Sequence, residues 1–338
     1  MMNIFLKKPS VEVIMKKYLI GIVIPLFLIS YLIPIQAAEY PTKPITIIIT
    51  VAPGGSNDIQ SRAFASLAQK ILKQPLVVLN KPAASGMLAL TQAAQAPPDG
   101  YTLITSSMSE LCVYEWELIN NRKPGFSLDD FVSIGAFTVS PLIIAVPANS
   151  PWNTIEDLIR DAKASPGKYA YASGGINRIA HINTELFAKA LGLKFRHVPY
   201  SGGGPAVTAI VGGHEDFAAV TPSSSVPLIK GRKLKALAIL GDTRSKFLPD
   251  VPSLKEKGID AGLPQIVGLG VPKKTPTPIV NKLRAVVKQV CDDKSFQSII
   301  ENQGDEVRHV PGEQFAKIQK EASQKVARLF KIMMEEKK

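Results

Sequence analysis

Short β-branched runs alternate with amphipathic helical stretches along most of this chain, and this alternation constrains the fold more than any other feature. The run at residues 45–51 is apolar on both faces, which is typical of a strand buried inside a parallel sheet. The next stretch repeats apolar residues at i, i+4 spacing from Ile59 to Ile71, as an amphipathic helix does. The pattern predicts an α/β fold.

The same reasoning predicts the remaining elements. At about 100–200 residues per domain, 338 residues suggest two domains. Further strands are predicted at residues 76–79, 101–105, 142–146, 169–172 and 234–239, and helices at 154–164, at 179–191, from Pro278 onward and at 312–334.

Residues 1–37 have the pattern of a secretory signal peptide. Lys16 and Lys17 precede an apolar run over residues 18–35, which ends in the small-residue site 36–39. A retained membrane anchor is the alternative, but two prolines and a length barely sufficient for the bilayer weigh against it. A signal peptide normally begins with its basic region, whereas residues 1–14 lie before it. One interpretation of these residues is an extension upstream of the true start site. We therefore predict export to the periplasm.

The charge balance limits the possible partners. Forty Lys and Arg residues against 28 Asp and Glu residues give a net charge of +12, which suits nucleic acid, anionic membranes or anionic small molecules. The basic residues are scattered singly, and an exported chain is a poor candidate for DNA binding, so no nucleic-acid partner is predicted. The only cysteines, Cys112 and Cys291, exclude a disulfide scaffold, and the sequence leaves open whether they pair.

Three glycine-rich junctions connect predicted strands to predicted helices, at residues 52–58, 172–181 and 200–206. Ligands of open α/β sheets bind at the carboxyl ends of strands. Glycine allows tight turns and exposed amides, and a helix N-terminus carries partial positive charge, so each junction is suited to an anion. An ordinary turn with Ser56 or Asp58 as the helix cap is the alternative for the first junction. The recurrence favours helix N-termini that face each other across a cleft.

Catalytic and cofactor motifs are missing from the sequence. The junctions match neither a Walker loop nor a dinucleotide fingerprint. Ser173 and His181 lie eight residues apart across a helix start, which is a poor arrangement for a nucleophile and its base, and no nucleophile elbow occurs. The four histidines lack metal-ligand spacing. We predict no catalytic residue, no metal site and no cofactor, and interpret His181 as a packed structural histidine.

Several motifs, in chain order, resemble one family over essentially the whole chain after the signal peptide. The resemblance is to the extracytoplasmic solute receptors of tripartite tricarboxylate transporters, often called the Bug family. The matching stretches are Tyr-Pro-Thr-Lys-Pro-Ile at 40–45, Ala-Pro-Gly-Gly-Ser-Asn-Asp at 52–58, Pro-Asp-Gly-Tyr-Thr-Leu at 98–103, and residues 180–187, 197–202, 229–238 and 248–253.

The resemblance implies a two-domain periplasmic binding protein of the Venus-flytrap type (type II), with a hinge of two crossover segments. We expect residues 38–140 plus 265–338 to form domain 1 and residues 141–264 to form domain 2. A monomeric receptor of this kind captures a small organic anion, such as a di- or tricarboxylate, an amino acid or an aromatic acid, and presents it to membrane permease subunits. A sensor-kinase receptor and an extracytoplasmic enzyme on the same scaffold are the alternatives.

The resemblance also implies the ligand-binding residues, mostly through backbone amides and small hydroxyls. Asp58 is expected to orient the first loop rather than to touch an anion. Arg178 departs from the family pattern and puts a cation near the site, although exposure to solvent is the alternative. The predicted residues are Pro53, Gly54, Gly55, Ser56, Asp58, Ser106, Ser107, Ser173, Gly174, Gly175, Ile176, Asn177, His181 and Ser201.

Overall fold

The computed structural model describes residues 39–335, so the predicted signal peptide lies outside the described residues. The fold is that of the unit that begins at Lys43. Its strands form two separate mixed sheets.

The first sheet has six strands in the order β11-β4-β10-β3-β1-β2. Strand β1 pairs in parallel with β2 and β3, whereas β10 pairs antiparallel with β3 and β4, and β11 antiparallel with β4. The strands are β1 (Ile45–Ile49), β2 (Leu76–Asn80), β3 (Thr102–Ser107), β4 (Phe131–Ser140), β10 (Gln265–Pro272) and β11 (Val307–Pro311).

The second sheet has five strands in the order β7-β6-β8-β5-β9. Strand β6 is parallel to β7 and β8, and β5 is antiparallel to β8 and β9. The strands are β5 (Leu142–Pro147), β6 (Ala170–Ser173), β7 (Arg196–Pro199), β8 (Phe217–Val220) and β9 (Leu234–Leu240).

Each sheet together with its helices is called a lobe below. The first lobe holds α1 (Ser56–Leu72), α2 (Met87–Ala94), α3 (Met108–Ile119), α8 (Thr277–Asp292), α9 (Lys294–Asn302) and α10 (Gly312–Glu335). The second holds α4 (Ile155–Ala164), α5 (Ile179–Ala190), α6 (Gly203–Val211) and α7 (Pro222–Lys230). Short 3₁₀ turns lie at Ala83–Gly86, Leu128–Asp130 and Lys255–Lys257. Among residues 39–335, no helix combines the length and apolarity that crossing a bilayer requires.

The chain crosses between the lobes twice. It leaves the first sheet at the end of β4, enters the second at β5, and returns from β9 to β10 through residues 241–264. This arrangement confirms the predicted α/β fold with two domains and two crossover segments. The predicted domain limits at 140/141 and 264/265 follow the same crossings and stay a prediction.

Both cysteines are buried and free. Burial raises the pKa of Cys291 to about 12 and raises that of Cys112 as well, so both thiols stay protonated at neutral pH. Within the described part of the chain, no cluster of His, Cys, Asp and Glu side chains is arranged to hold a metal ion.

Candidate functional site

A small cavity of about 50 Å³ lies where the two lobes meet. Its walls come from both lobes, and they combine small and branched apolar residues with hydroxyl and amide side chains and one arginine. The lining residues are Val51, Gly55, Ser56, Asn57, Ser109 and Gln265 of the first lobe, and Gly174, Arg178, Ile179, Ala180, Gly203, Ala206, Ala219, Val220, Thr221 and Ser224 of the second.

Five of the described helices begin at this cavity. Helices α1 and α3 contribute from the first lobe, and α5, α6 and α7 from the second. The first N–H groups of a helix have no partner within the helix and carry partial positive charge. In α1 the first helical hydrogen bonds begin with the N–H of Asp58, which leaves those of Ser56 and Asn57 outside the helical pattern. In α3 and α7 part of this donor capacity is already used, since the N–H of Ser109 donates to the Ser107 hydroxyl and that of Ser223 to Asp305. The amide dipoles of the five helix starts still point towards the cavity and favour an anion.

The glycine-rich junctions bring the two lobes into backbone contact. The N–H of Ala52 lies 3.4 Å from the carbonyl oxygen of Ser201, across the lobe boundary. A Cβ atom placed on Gly204 would lie 2.5 Å from the carbonyl oxygen of Pro53, and one placed on Gly55 would lie 3.5 Å from the nitrogen of Gly203. The absence of a side chain at Gly204 is what permits this approach.

A buried ion pair joins the lobes beside the cavity. Arg178, at the start of α5, lies 2.8 Å from Oε1 of Glu110 in α3, and both side chains are about 5% exposed or less. The guanidinium also donates to the carbonyl oxygen of Ser85 at 2.7 Å and to the hydroxyl of Thr50 at 3.3 Å. Arg178 is therefore not exposed to solvent, and its charge is balanced by Glu110.

Polar groups of the first lobe complete the surroundings of Glu110. Its carboxylate accepts hydrogen bonds from the hydroxyls of Thr50 and Ser107 and, at 3.3 Å, from the side-chain amide of Asn57. The side-chain oxygen Oδ1 of Asn57 in turn accepts from Nε2 of Gln265 at 3.0 Å. A continuous hydrogen-bonded network thus runs from the ion pair to the first residue of β10.

A second contact between the lobes lies near the crossover segments. Asp305, which precedes β11, accepts from the backbone N–H of Ser223 in α7 at 3.0 Å and from Nε2 of Gln60 at 2.9 Å. The hydroxyl of Ser140, the last residue of β4, also donates to this carboxylate. Burial raises the pKa of Asp305, and these hydrogen bonds partly offset the increase.

Two stacked histidines support the second junction. The rings of His181 and His197 lie 4.0 Å apart and are nearly parallel. Nδ1 of His181 accepts from the backbone N–H of Asn177 at 2.9 Å, and Nε2 of His197 lies 2.7 Å from the hydroxyl of Ser173. The hydroxyl also accepts from the N–H of Gly175 at 3.2 Å. Ser173 is buried and does not line the cavity, so this pair is suited to hold the loop in place.

Acidification from pH 7 to pH 4.5 is expected to lower the melting temperature more in the wild type than in His197→Gln. Burial, followed by the neighbouring His181, lowers the pKa of His197 from 6.5 to about 4. In this window the unfolded state binds the additional proton, so the contribution of His197 to stability is present above pH 6.5 and is lost as the pH falls towards 4.

Differential scanning fluorimetry at several pH values tests this expectation. His214→Gln serves as the matched control because His214 is exposed. Equal pH dependence in the wild type and in His197→Gln would show that His197 titrates alike in the folded and unfolded chains.

The sequence matches the family described as "Tripartite tricarboxylate transporter family receptor" (TctC) over residues 60–334. The chain belongs to this receptor family. The receptor is 32% identical to the protein BugT of Bordetella pertussis over 275 residues, which cover 80% of this chain and 83% of BugT. The predicted membership of the Bug family is thereby confirmed, and members of this family are periplasmic solute-binding proteins.

Two solved structures of similar proteins include bound acids. MatC from Rhodopseudomonas palustris, solved with malate, is 26% identical with a TM-score of 0.78 and covers 85% of the receptor and 99% of its own chain. Rpa4515 of R. palustris, solved with adipate, is 25% identical with a TM-score of 0.79, at coverages of 87% and 97%. The receptor therefore shares its fold with solute-binding proteins whose bound solutes are dicarboxylates.

The structure brings some of the predicted site residues together at the cavity. Gly55, Ser56 and Gly174 line it. Pro53 and Gly54 instead line a separate groove of about 590 Å³. The binding roles of these residues stay a prediction.

The other predicted residues lie around the cavity rather than in its wall. Asp58 accepts from the N–H of Gly54 at 3.0 Å and pairs with Arg62 at 2.8 Å, and its orienting role stays a prediction. Ile176 is 54% exposed, and its neighbour Asn177 adopts a positive φ of 57°.

Most of the remaining predicted residues already form hydrogen bonds with other groups of the protein. The hydroxyl of Ser107 caps α3, and that of Ser106 accepts from Gln319 at 2.6 Å. Ser201 contributes its carbonyl oxygen to the contact between the lobes, while Ser173, Gly175 and His181 belong to the histidine-supported loop described above.

Sequence reasoning missed Glu110 and Gln265. Glu110 follows Ser107 at the Ser-x-x-Glu spacing of a capping box, which was a usable signal. Gln265 is a polar residue at the start of an otherwise apolar run, and such an exception in a buried strand was also a usable signal. Asn57, Thr221 and Ser224 also line the cavity, but no sequence pattern separates them from ordinary polar residues at helix starts.

Proposed function

We propose that this receptor captures a small dicarboxylate in the cavity between its lobes and presents it to the membrane subunits of a tripartite tricarboxylate-type transporter in the periplasm. The convergence of five helix N-termini from both lobes carries this proposal. The malate and adipate bound to two similar proteins support the same ligand class.

The charge balance of the cavity explains why an anionic ligand would depend on the amide dipoles. Glu110 neutralises Arg178, so the favourable field for an anion comes chiefly from the helix starts. Each helix N-terminus corresponds to roughly half a positive charge, and several of them suffice to balance a dianion.

Closure of the lobes follows from the position of these dipoles. An acid held by amides of one lobe gains the amides of the other only when the lobes approach, so the ligand binds the closed state more tightly and raises its population. The closed form then differs in shape from the open form, and this difference is what a permease or, in the alternative role, a sensor kinase would recognise.

The addition of L-malate to the purified receptor is expected to raise its melting temperature by about 5 °C at a concentration of about 100 times Kd, since such saturation contributes about 2.7 kcal/mol. Differential scanning fluorimetry measures the shift. The uncharged dimethyl ester of malate is the control and should cause no shift. NMR of the recovered ligand should show unchanged malate, whereas product formation would favour the enzyme alternative. The absence of a shift with every small dicarboxylate tested would refute the proposal.

A further inference from the structure

Gln265 carries a buried hydrogen-bond acceptor at the cavity. The residue is 4% exposed and lines the space between the lobes. Its Oε1 has no hydrogen-bond partner among the residues that the structure describes. A buried acceptor without a donor destabilises a protein, so this atom calls for a group that supplies one.

The orientation of the Gln265 amide is fixed by the ion pair. Glu110, paired with Arg178, is ionised and can only accept hydrogen bonds, so Asn57 must turn its NH₂ group towards it. The side-chain oxygen Oδ1 of Asn57 then faces Gln265 and requires the NH₂ group of that residue as its donor. Both amides are therefore oriented by the carboxylate, and Oε1 of Gln265 is left as the acceptor at the end of the network.

The other cavity groups differ in polarity from this atom. The helix N-termini present N–H groups, which suit carboxylate oxygens, whereas Oε1 of Gln265 repels such an oxygen and attracts an O–H or N–H group. The hydroxyls of Thr221 and Ser224 hydrogen-bond each other at 2.8 Å on the second lobe. A ligand that satisfies all parts of the wall therefore needs a donor in addition to its carboxylates.

We propose that Gln265 selects acids that carry a hydroxyl or ammonium group, by accepting a hydrogen bond from that group through Oε1. This inference rests on the proposed function and specifies its substrate class: short hydroxy- or amino-dicarboxylates rather than unsubstituted ones. A site that hydrogen-bonds a substrate hydroxyl discriminates strongly against an analogue that lacks it, because the buried partner is then left unpaired.

Isothermal titration calorimetry of the wild-type receptor with L-malate, L-aspartate and succinate tests the inference without any variant. These acids share a four-carbon dicarboxylate skeleton and differ in the group at C2. We expect malate or aspartate to bind at least about 10-fold more tightly than succinate. Binding of all three within threefold would overturn the inference while leaving the proposed function intact. If none of the acids binds, the proposed function fails instead.

The variant Gln265→Met assigns the preference to this residue. It removes the acceptor at similar volume, so the preference should fall below threefold, mainly through weaker binding of the substituted acid. Gln69→Met is the matched control because Gln69 is exposed on α1, and it should keep the wild-type preference. The melting temperature of the unliganded variants verifies folding. A preference retained in a folded Gln265→Met protein would overturn the inference, as would its loss in the control.

Discussion

Replacement of Arg178 by methionine is expected to weaken L-malate binding by at least about 100-fold at pH 7. The variant leaves the Glu110 carboxylate buried without its counter-charge whenever the lobes are closed. Removal of one partner of a buried ion pair costs about 3–5 kcal/mol, and each 1.4 kcal/mol corresponds to about tenfold in affinity. Because the pair spans the two lobes, the cost falls on the closed, ligand-binding state, and the anionic ligand adds repulsion.

A double-mutant cycle tests this explanation. Arg178→Met combined with Glu110→Gln removes both charges, so calorimetry should show that affinity recovers most of the loss. Arg160→Met is the control, because the Arg160 side chain is 67% exposed and its ion pair with Asp157 should contribute little. An Arg178→Met protein that binds malate within threefold of the wild type would contradict a role for this pair in closure.

Replacement of Gly204 by alanine is expected to weaken L-malate binding by about 5- to 150-fold, the equivalent of the 1–3 kcal/mol typical of an overpacked contact. The new Cβ would lie 2.5 Å from the carbonyl oxygen of Pro53 and 2.9 Å from the carbonyl carbon of Gly54. Both obstacles are backbone atoms of the opposite lobe, which cannot rotate away as a side chain can. The lobes must therefore stay farther apart, and the amides of the two sides no longer reach one ligand together.

The neighbouring glycine provides the control for this prediction. A Cβ on Gly203 would lie 3.7 Å from the Cα of Gly55, which is ordinary van der Waals contact. Both substitutions replace glycine by a better helix former in the first turn of α6, so their effects on the helix itself are matched. Because Gly203 also lines the cavity, its variant measures the effect of a methyl group near the wall without the clash at Pro53. Calorimetry with malate and small-angle scattering measure affinity and closure. Similar affinities for the two variants would show that the contact at Pro53 does not limit closure.

The sequence alone predicted the elements whose pattern is local. Strands β1 and β5 were recognised because continuous apolar runs are the signature of strands covered on both sides. Strand β1 ends at Ile49, two residues earlier than predicted, because the following residues already turn into the first glycine-rich junction. The three junctions were found because glycine and a helix start are local features, and the structure places all of them at the contact between the lobes.

Strands β4 and β10 were not predicted from the sequence, because contacts between distant parts of the chain require glycines within them. Gly268 and Gly270 interrupt the apolar pattern of β10, although all its residues are buried. A Cβ on Gly268 would overlap with the carbonyl oxygen of Gly135 in β4 and would lie 2.6 Å from the ring of Phe315 in α10. The glycine is thus required by the neighbouring strand and helix, which are distant in the sequence.

The sequence by itself determined the α/β class, the family resemblance and the three glycine-rich loops, because strand burial, helix starts and glycine turns depend on neighbours within a few residues. Only the tertiary structure decided the polarity of the cavity. Arg178 and Glu110 lie 68 residues apart in the chain, and Gln265 and Asn57 lie 208 apart. Their pairing depends on how two sheets bring several helix starts to one place, and no local pattern encodes that arrangement.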